Sequence, residues 1–333
     1  MNLPARAGIL GIGASIPEKV LTNAELSRMV DTNDEWILSR TGIRERRILG
    51  EGELLADHAA ESCRRALDNA GLKTSDVDLI LACTYTADRQ CPSLACDIHR
   101  RLGPEIGMAG ALDINAACSG FLYGMHLADK LIRTGAHRHI LIVAAEAQSR
   151  FVDFTDRATC ILFGDGASAI VMGPVTDGSD SGVYSTCVGA DGSGSEQIRM
   201  VCDSPVDPSL PQARNNGTPN LRMNGREVFK FAVRIFIQAL DEALTAASIT
   251  SADVDLLIPH QANLRIIEAG AARLSLPPER MIVNIDKYGN TASVTIPLGM
   301  MDLLEDGRLT KGKTLALVAF GAGYTYGSAI VKW

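Results

Sequence analysis

Three stretches of this 333-residue chain return in the same order further along it, and that internal repeat restricts the fold more than any single motif does. Ala70-Gly-Leu-Lys-Thr-Ser-Asp-Val-Asp-Leu-Ile-Leu returns as Ala247-Ser-Ile-Thr-Ser-Ala-Asp-Val-Asp-Leu-Leu-Ile. His139-Ile-Leu-Ile-Val-Ala returns as Thr314-Leu-Ala-Leu-Val-Ala, and Gly166-Ala-Ser-Ala-Ile-Val as Gly327-Ser-Ala-Ile-Val. In the first pair each copy follows a helical pattern, over 59–70 and 228–247, and runs into a short apolar segment. Segments 79–82, 140–144, 256–258 and 315–319 are continuously apolar, as strands buried on both faces are. The pattern predicts two copies of one α/β unit, a first half over 1–175 and a second over 176–333, with helices laid against their sheets. Residues 196–220, with Pro205, Pro208, Pro211, Pro219 and the turn Asn215-Asn-Gly, read as a long surface loop within the second half.

Charge and cysteine usage exclude several classes. Lys and Arg number 32 against 39 Asp and Glu, a net −7 that offers nothing to a polyanion such as nucleic acid. The eight cysteines form no C-x-x-C pair and have no His at zinc-ligand spacing, so they read as reduced intracellular thiols, and no metal is expected. Residues 1–17 carry Gly and Pro where a signal peptide needs an unbroken apolar run, and no segment reaches the ~18 apolar residues of a membrane span. A cytoplasmic location is the expectation.

Chemistry enters at Leu112-Asp-Ile-Asn-Ala-Ala-Cys118-Ser-Gly-Phe. A short strand ends near Asn115, and Phe121, Met125, Ala128 and Ile132 then recur at helical spacing, which puts Cys118 at a strand-to-helix turn. There the free N–H groups of the first helical turn favour an anion and are expected to draw the thiol down from ~8.5 toward neutrality. His260, in Leu256-Leu-Ile-Pro-His260-Gln-Ala-Asn263, is the one histidine that closes an apolar strand. Asn290, in Tyr288-Gly-Asn290-Thr, and the small-residue turn over 320–327 complete the set; a strand follows that turn where a phosphate loop would need a helix. Gly11-Ile-Gly13 reads as a tight turn. A soft nucleophile, polar donors for an enolate and close backbone N–H groups for a tetrahedral oxyanion are what thioester chemistry requires.

Ala117-Cys118-Ser-Gly-Phe, Pro259-His260-Gln-Ala-Asn-Leu-Arg265, Gly289-Asn290-Thr and the 320–327 turn together resemble the β-ketoacyl-acyl carrier protein synthase III family of the thiolase superfamily. So do Asp34-Glu-Trp-Ile-Leu-Ser-Arg-Thr-Gly, Thr155-Asp-Arg157 and Phe163-Gly-Asp-Gly-Ala167, so that the likeness spans nearly the whole chain. The resemblance implies a thiolase-like five-layer αβαβα sandwich of two similar halves. It implies an acyltransferase that joins an acyl-CoA primer to malonyl-acyl carrier protein with loss of carbon dioxide, starting fatty acid synthesis. Cys118 would carry the acyl group, and His260 and Asn290 would promote decarboxylation. The backbone N–H groups of Cys118 and Ala322 would form the oxyanion hole; Ala322 stands where the family usually has Gly and needs a negative φ there. Trp36, Arg40, Arg157 and Asn263 match CoA-binding positions; Gln261, Ala262, Asn263, Leu264 and Arg265, with Arg273 farther along, match the carrier-protein contact. Cys91 and Phe320 match the acyl pocket, Cys91 within a segment that in the family reaches across the dimer to close the end of the partner's pocket; Cys91, often Phe in the family, implies room for primers larger than acetyl. No cofactor is implied beyond the two thioester substrates, and a homodimer is.

Two other readings remain open on sequence. One is an enzyme of the same fold serving specialised metabolism, of polyketide or quinolone type, which passes the acyl group to a different acceptor. The other is a non-catalytic thioester-binding protein. A thiolase proper needs a second Cys in the C-terminal glycine-rich turn, and 320–327 holds none.

Overall fold

The computed structural model describes residues 6–201, 220–274 and 276–333. Two sheets form its frame. The first runs in the order Ala7–Ser15, Asp165–Pro174, Ile140–Ala147, Leu79–Cys83, Gly110–Ile114. The second runs Leu256–Pro259, Thr314–Gly321, Thr325–Lys332, Gly182–Ala190. The repeat reappears as a repeat of pairing. Leu79–Cys83 lies parallel to Ile140–Ala147, which pairs antiparallel with Asp165–Pro174; Leu256–Pro259 lies parallel to Thr314–Gly321, which pairs antiparallel with Thr325–Lys332.

Alternate residues of each inner strand enter different cores, which is why these segments are apolar without a break. Leu79, Leu81, Ile140, Ile142, Leu256, Ile258, Leu315 and Leu317 face a central core shared with helices Gly120–Arg133 and Thr295–Glu305. Ile80, Ala82, Leu141 and Val143 face helices Leu55–Ala70 and Leu94–Leu102 on one outside. Leu257, Ala316 and Val318 face Gly225–Ala247 and Leu264–Leu274 on the other. Helix, sheet, helix pair, sheet, helix make the five layers of a thiolase-like sandwich, and the ends of the inner strands meet near its middle.

Two expectations change. Gly11 and Gly13 lie inside the strand Ala7–Ser15, not in a turn. A Cβ on Gly11 would stand 2.4 Å from the Ala66 carbonyl oxygen and one on Gly13 2.5 Å from the Ala66 nitrogen, so these glycines let the helix backbone lie directly on the strand. The stretch read as loop from 196 starts and ends in a two-stranded ribbon, Ile198–Val201 against Asn220–Met223; Pro205, Pro208, Pro211, Pro219 and the Asn215-Asn-Gly turn lie outside the described residues. No described helix is long and apolar enough to cross a membrane.

Candidate active site

Cys118 is the middle residue of a single 3-10 turn, Ala117–Ser119, set between the strand Gly110–Ile114 and the helix Gly120–Arg133. Ala117 enters that turn at φ 48°, a left-handed conformation that costs a residue with a Cβ about 1–2 kcal/mol. Contacts from the second sheet hold it there. Thr325 Oγ1 donates to the Ala116 carbonyl at 2.8 Å and lies 3.0 Å from Ser119 Oγ. A Cβ on Gly321 would stand 2.7 Å from the Cys118 nitrogen. The hairpin therefore reaches Cys118 only because residue 321 is glycine, one place before the position where sequence suggested the requirement. Ala322 is not among the residues with positive φ, so its side chain is tolerated.

His260 follows the strand Leu256–Pro259, anchored by its own N–H on the Val318 carbonyl at 2.8 Å. Its ring is buried, with the edge of Phe320 at 5.3 Å between centroids and Thr295 Oγ1 2.8 Å from Nδ1. Burial pushes its pKa down to about 3, so the imidazole is neutral. Asn290 is fixed on three sides: its N–H donates to the Leu162 carbonyl, its C=O accepts from Gln148 Nε2 at 2.7 Å, and its Oδ1 accepts the Ala292 N–H at 2.9 Å. With Oδ1 committed, the carboxamide has its N–H groups left to serve the cavity.

Cys118, His260, Asn290, Phe320 and Ala322 line one cavity of about 310 Å³. Its other end is lined by Trp36, Arg40 and Arg157, and the guanidinium carbons of both arginines lie 5.2 Å from the Trp36 ring centroid. Asn263, which also lines the cavity, donates from Nδ2 to the Arg40 carbonyl at 3.1 Å. The mouth is therefore an aromatic ring with two cations close to it, and the inner end is a sulfur beside an imidazole and an amide.

The thiol differs from expectation. Burial pushes the Cys118 pKa up, and the nearby Glu146 carboxylate pushes it the same way, so the first-turn N–H groups do not win. Glu146 is itself buried, and burial raises its pKa to about 8 although Thr84, Thr86, Ser293 and the Tyr85 N–H all donate to it. The resting sulfur is thus a thiol, and a neutral histidine lines the same cavity to take its proton.

A model of the family described as 3-oxoacyl-[acyl-carrier-protein (ACP)] synthase III matches residues 112–192, and a model of its C-terminal part matches residues 244–333. The chain is 46% identical over 327 residues to the β-ketoacyl-[acyl-carrier-protein] synthase III of Geobacillus kaustophilus, covering 98% of this chain and 99% of that one. The chain belongs to the 3-oxoacyl-[acyl-carrier-protein] synthase III family. The crystal structure of β-ketoacyl-[acyl carrier protein] synthase III from Thermus thermophilus superposes with a TM-score of 0.91 at 42% identity, over 98% of this chain and 99% of that one. The priming β-ketosynthase from the R1128 polyketide biosynthetic pathway superposes at 0.90 with 34% identity, over 100% of this chain and 98% of that one. OleA of Xanthomonas campestris, 19% identical at a TM-score of 0.86, shares the fold.

Within this synthase III member the segment after His260 divides. Gln261, expected among carrier-protein contacts, turns inward: it is 1% exposed, its Nε2 donates to the Pro259 and Ile282 carbonyls and its Oε1 accepts the Asn284 N–H. A side chain so committed cannot meet a partner's surface. Arg265 is exposed, Ala262 and Asn263 line the cavity, and Leu264 covers Gly42, where a Cβ would stand 2.6 Å from Leu264 Cβ. The Arg273 side chain lies outside what is described. Cys91 is exposed, in the loop between Leu79–Cys83 and Leu94–Leu102, and does not line this cavity. Arg157 also pairs with Asp31 at 3.5 Å. Sequence reading missed Glu146, Gln148, Gly321 and Thr295, each of which touches a site residue or its turn across a long span of chain.

Proposed function

We propose that this synthase III member condenses an acyl-CoA primer with malonyl-acyl carrier protein to give a 3-oxoacyl-acyl carrier protein, and so starts fatty acid synthesis, through an acyl thioester on Cys118. The observation that carries the proposal is the convergence of Cys118, His260 and Asn290 at the inner end of a cavity whose mouth holds Trp36 with Arg40 and Arg157 close to its ring. In the first half-reaction the Cys118 proton passes to neutral His260, the sulfur attacks the primer carbonyl, and CoA leaves. The oxyanion is met by the N–H groups of Cys118 and Ala322, while the adenine stacks on Trp36 and the arginines meet the phosphates. In the second, His260 and Asn290 donate to the malonyl thioester oxygen as carbon dioxide departs, the carbanion attacks the acyl-cysteine carbonyl, and the adduct collapses with its carbon–sulfur bond broken, returning Cys118 as a thiolate that regains its proton. Donors aimed where charge develops contribute about 3–4 kcal/mol each.

The carrier protein, an acidic partner in this reading, meets Arg265 beside the cavity mouth. A homodimer is supported by Gly110–Ile114, which ends the first sheet as an edge strand and has exposed Leu112 on it and exposed Met108 beside it. The Cys91 loop would then close the partner's acyl pocket. The division into halves over 1–175 and 176–333 is supported by the two sheets, which draw their strands from either side of it. Cytoplasmic location fits the reduced thiols. The likeness to a polyketide priming ketosynthase favours a second reading, in which the same acyl-cysteine serves a specialised pathway and a different acceptor.

Peptide mapping after exposure to acetyl-CoA and octanoyl-CoA, followed by addition of malonyl-acyl carrier protein, tests the whole sequence of steps. The acyl mass is expected on the Cys118 peptide and 3-oxoacyl-acyl carrier protein as product. Octanoyl-CoA should be accepted, and Cys91→Phe should lower its kcat/KM about tenfold relative to acetyl-CoA by filling the pocket. No acyl mass at Cys118 would overturn the mechanism; a strong acetyl preference unmoved by Cys91→Phe would overturn the assignment of the pocket.

A further inference from the structure

The first half-reaction needs His260 Nε2 without a proton, to accept one from Cys118. The second needs Nε2 with a proton, to donate to the enolate oxygen. Which state the ring adopts depends on what stands at its other nitrogen. Among the described residues the hydrogen-bond partner of Nδ1 is Thr295 Oγ1, at 2.8 Å and buried. Among the described residues no carboxylate is hydrogen-bonded to the ring, and burial accounts for its lowered pKa.

A carboxylate or a carbonyl at Nδ1 accepts only, and would hold the proton on Nδ1 permanently. A hydroxyl both accepts and donates. Thr295 Oγ1 also lies 3.0 Å from the Ala292 carbonyl, and the Thr295 backbone N–H donates to that same carbonyl. The hydroxyl proton can therefore rest on the Ala292 oxygen, with Oγ1 accepting from Nδ1–H. It can equally turn to Nδ1 without leaving the Ala292 carbonyl unsatisfied. Resting on the reading of Cys118, His260 and Asn290 given above, we propose that Thr295 is a positioning residue whose hydroxyl supports both tautomers of His260, so that one imidazole serves as proton acceptor in acylation and as donor in condensation.

The proton balance in acylation is closed. The Cys118 proton moves to Nε2 as the sulfur–carbon bond forms and the carbonyl pair moves onto oxygen. Collapse of the adduct breaks the carbon–sulfur bond to CoA, and the Nε2 proton follows the pair onto the CoA sulfur. The ring is then neutral with its proton on Nδ1; before malonyl thioester is decarboxylated, water in the cavity gives a proton to Nε2 and the Nδ1 proton is lost to solvent as the ring exchanges, after which the Thr295 hydroxyl turns to donate to the bare Nδ1.

The two half-reactions can be measured separately: acylation by the rate of mass gain at Cys118 with acyl-CoA, decarboxylation by carbon dioxide release from malonyl-acyl carrier protein in a Cys118→Ala background. Thr295→Val keeps the shape and removes the hydroxyl. An unpaired buried N–H is costlier than an unpaired ring lone pair, so the ring should settle with its proton on Nε2. Acylation should then fall at least about tenfold while decarboxylation stays within about threefold, and Thr295→Ser should restore both. Parallel loss of the two rates, or no loss of either, would overturn the proposal. If Thr295→Val does not fold, Thr295→Cys, whose thiol is a poor partner in either sense, should give a smaller split in the same direction, and its absence would overturn the proposal equally. A wild-type chain that gains no acyl mass at Cys118 would instead overturn the reading on which this inference rests.

Discussion

The turns Ala117–Ser119 and Ala292–Val294 occupy matching places in the two sheets' repeats and share a backbone. Each is one 3-10 turn, each begins with an alanine of positive φ (48° at Ala117 and 49° at Ala292), and each leads into one of the two central helices. Their second residues are Cys118 and Ser293. Yet Cys118 faces the hairpin of the second sheet and lines the cavity, whereas Ser293 is sealed against the first sheet. Its hydroxyl lies 3.0 Å from both the Cys83 carbonyl and Glu146 Oε1. A strained turn at the start of a helix therefore does not make a nucleophile. What distinguishes the two is access to the cavity and a neutral base beside it.

The strongest way to break this comparison is to give both turns the same atom. Cys118→Ala should abolish acylation and lower turnover by about a thousandfold or more, since the covalent path is gone. Adding Ser293→Cys to that variant should restore nothing, because a sulfur at 293 meets no cavity. An acyl mass on a 293-containing peptide would show that backbone geometry alone suffices.

Glu146 joins the two turns, accepting from Ser293 and raising the Cys118 thiol, and its titration sharpens the contrast. Its folded pKa of about 8 lies above the ordinary 4.5, so between those values the folded chain holds a proton that the unfolded chain releases. Stability from this group is therefore present at low pH and lost as pH rises toward 8. Thermal midpoints of the wild-type chain should fall by several degrees from pH 5 to 8.5, and those of Glu146→Gln should fall less. Above pH 8, Glu146→Gln should also alkylate faster at Cys118, by a few-fold to about tenfold, because a charge that opposes the thiolate has been removed. An identical pH profile in both proteins would remove Glu146 from the account of the nucleophile.

The sequence carried the repeat, the double-faced strands and the Cys118 turn because each depends on neighbours in the chain: apolar runs, helical spacing, a strand followed by a helix. It carried His260 for the same reason, as a polar residue closing an apolar strand. Residues whose role is set by a distant partner stayed hidden. Thr295 lies 35 residues from His260, Ser293 147 from Glu146 and Gln148 142 from Asn290. Gln261 is polar and next to a site residue, and only its burial reveals that it braces the Asn284 segment. Gly11 and Gly13 carried the need for close approach, but whether glycine serves a turn or a helix laid on a strand depends on what packs there. The thiol's pKa went astray because a helix start is visible in sequence and desolvation is not.

The smallest effect tests whether the two turns are alike in strain as well as in shape. An alanine at positive φ loses about 1–2 kcal/mol that glycine does not, while glycine gives back about 0.4–1 kcal/mol through the greater freedom of the unfolded chain. Ala117→Gly and Ala292→Gly should therefore each stabilise by a net of about 0.5 kcal/mol, measured by denaturant midpoint at unchanged slope. Their kinetic effects should differ. Residue 292 holds Asn290 Oδ1 through its N–H and the Thr295 hydroxyl through its carbonyl, so loosening it should slow decarboxylation more than acylation. Loosening 117, which precedes only the sulfur, should slow acylation more. Equal stabilisation with opposite kinetic bias would confirm one backbone device used for two purposes; a stability gain at only one site would mean that the matching angles arise from different packing and that the likeness of the turns ends at their φ values.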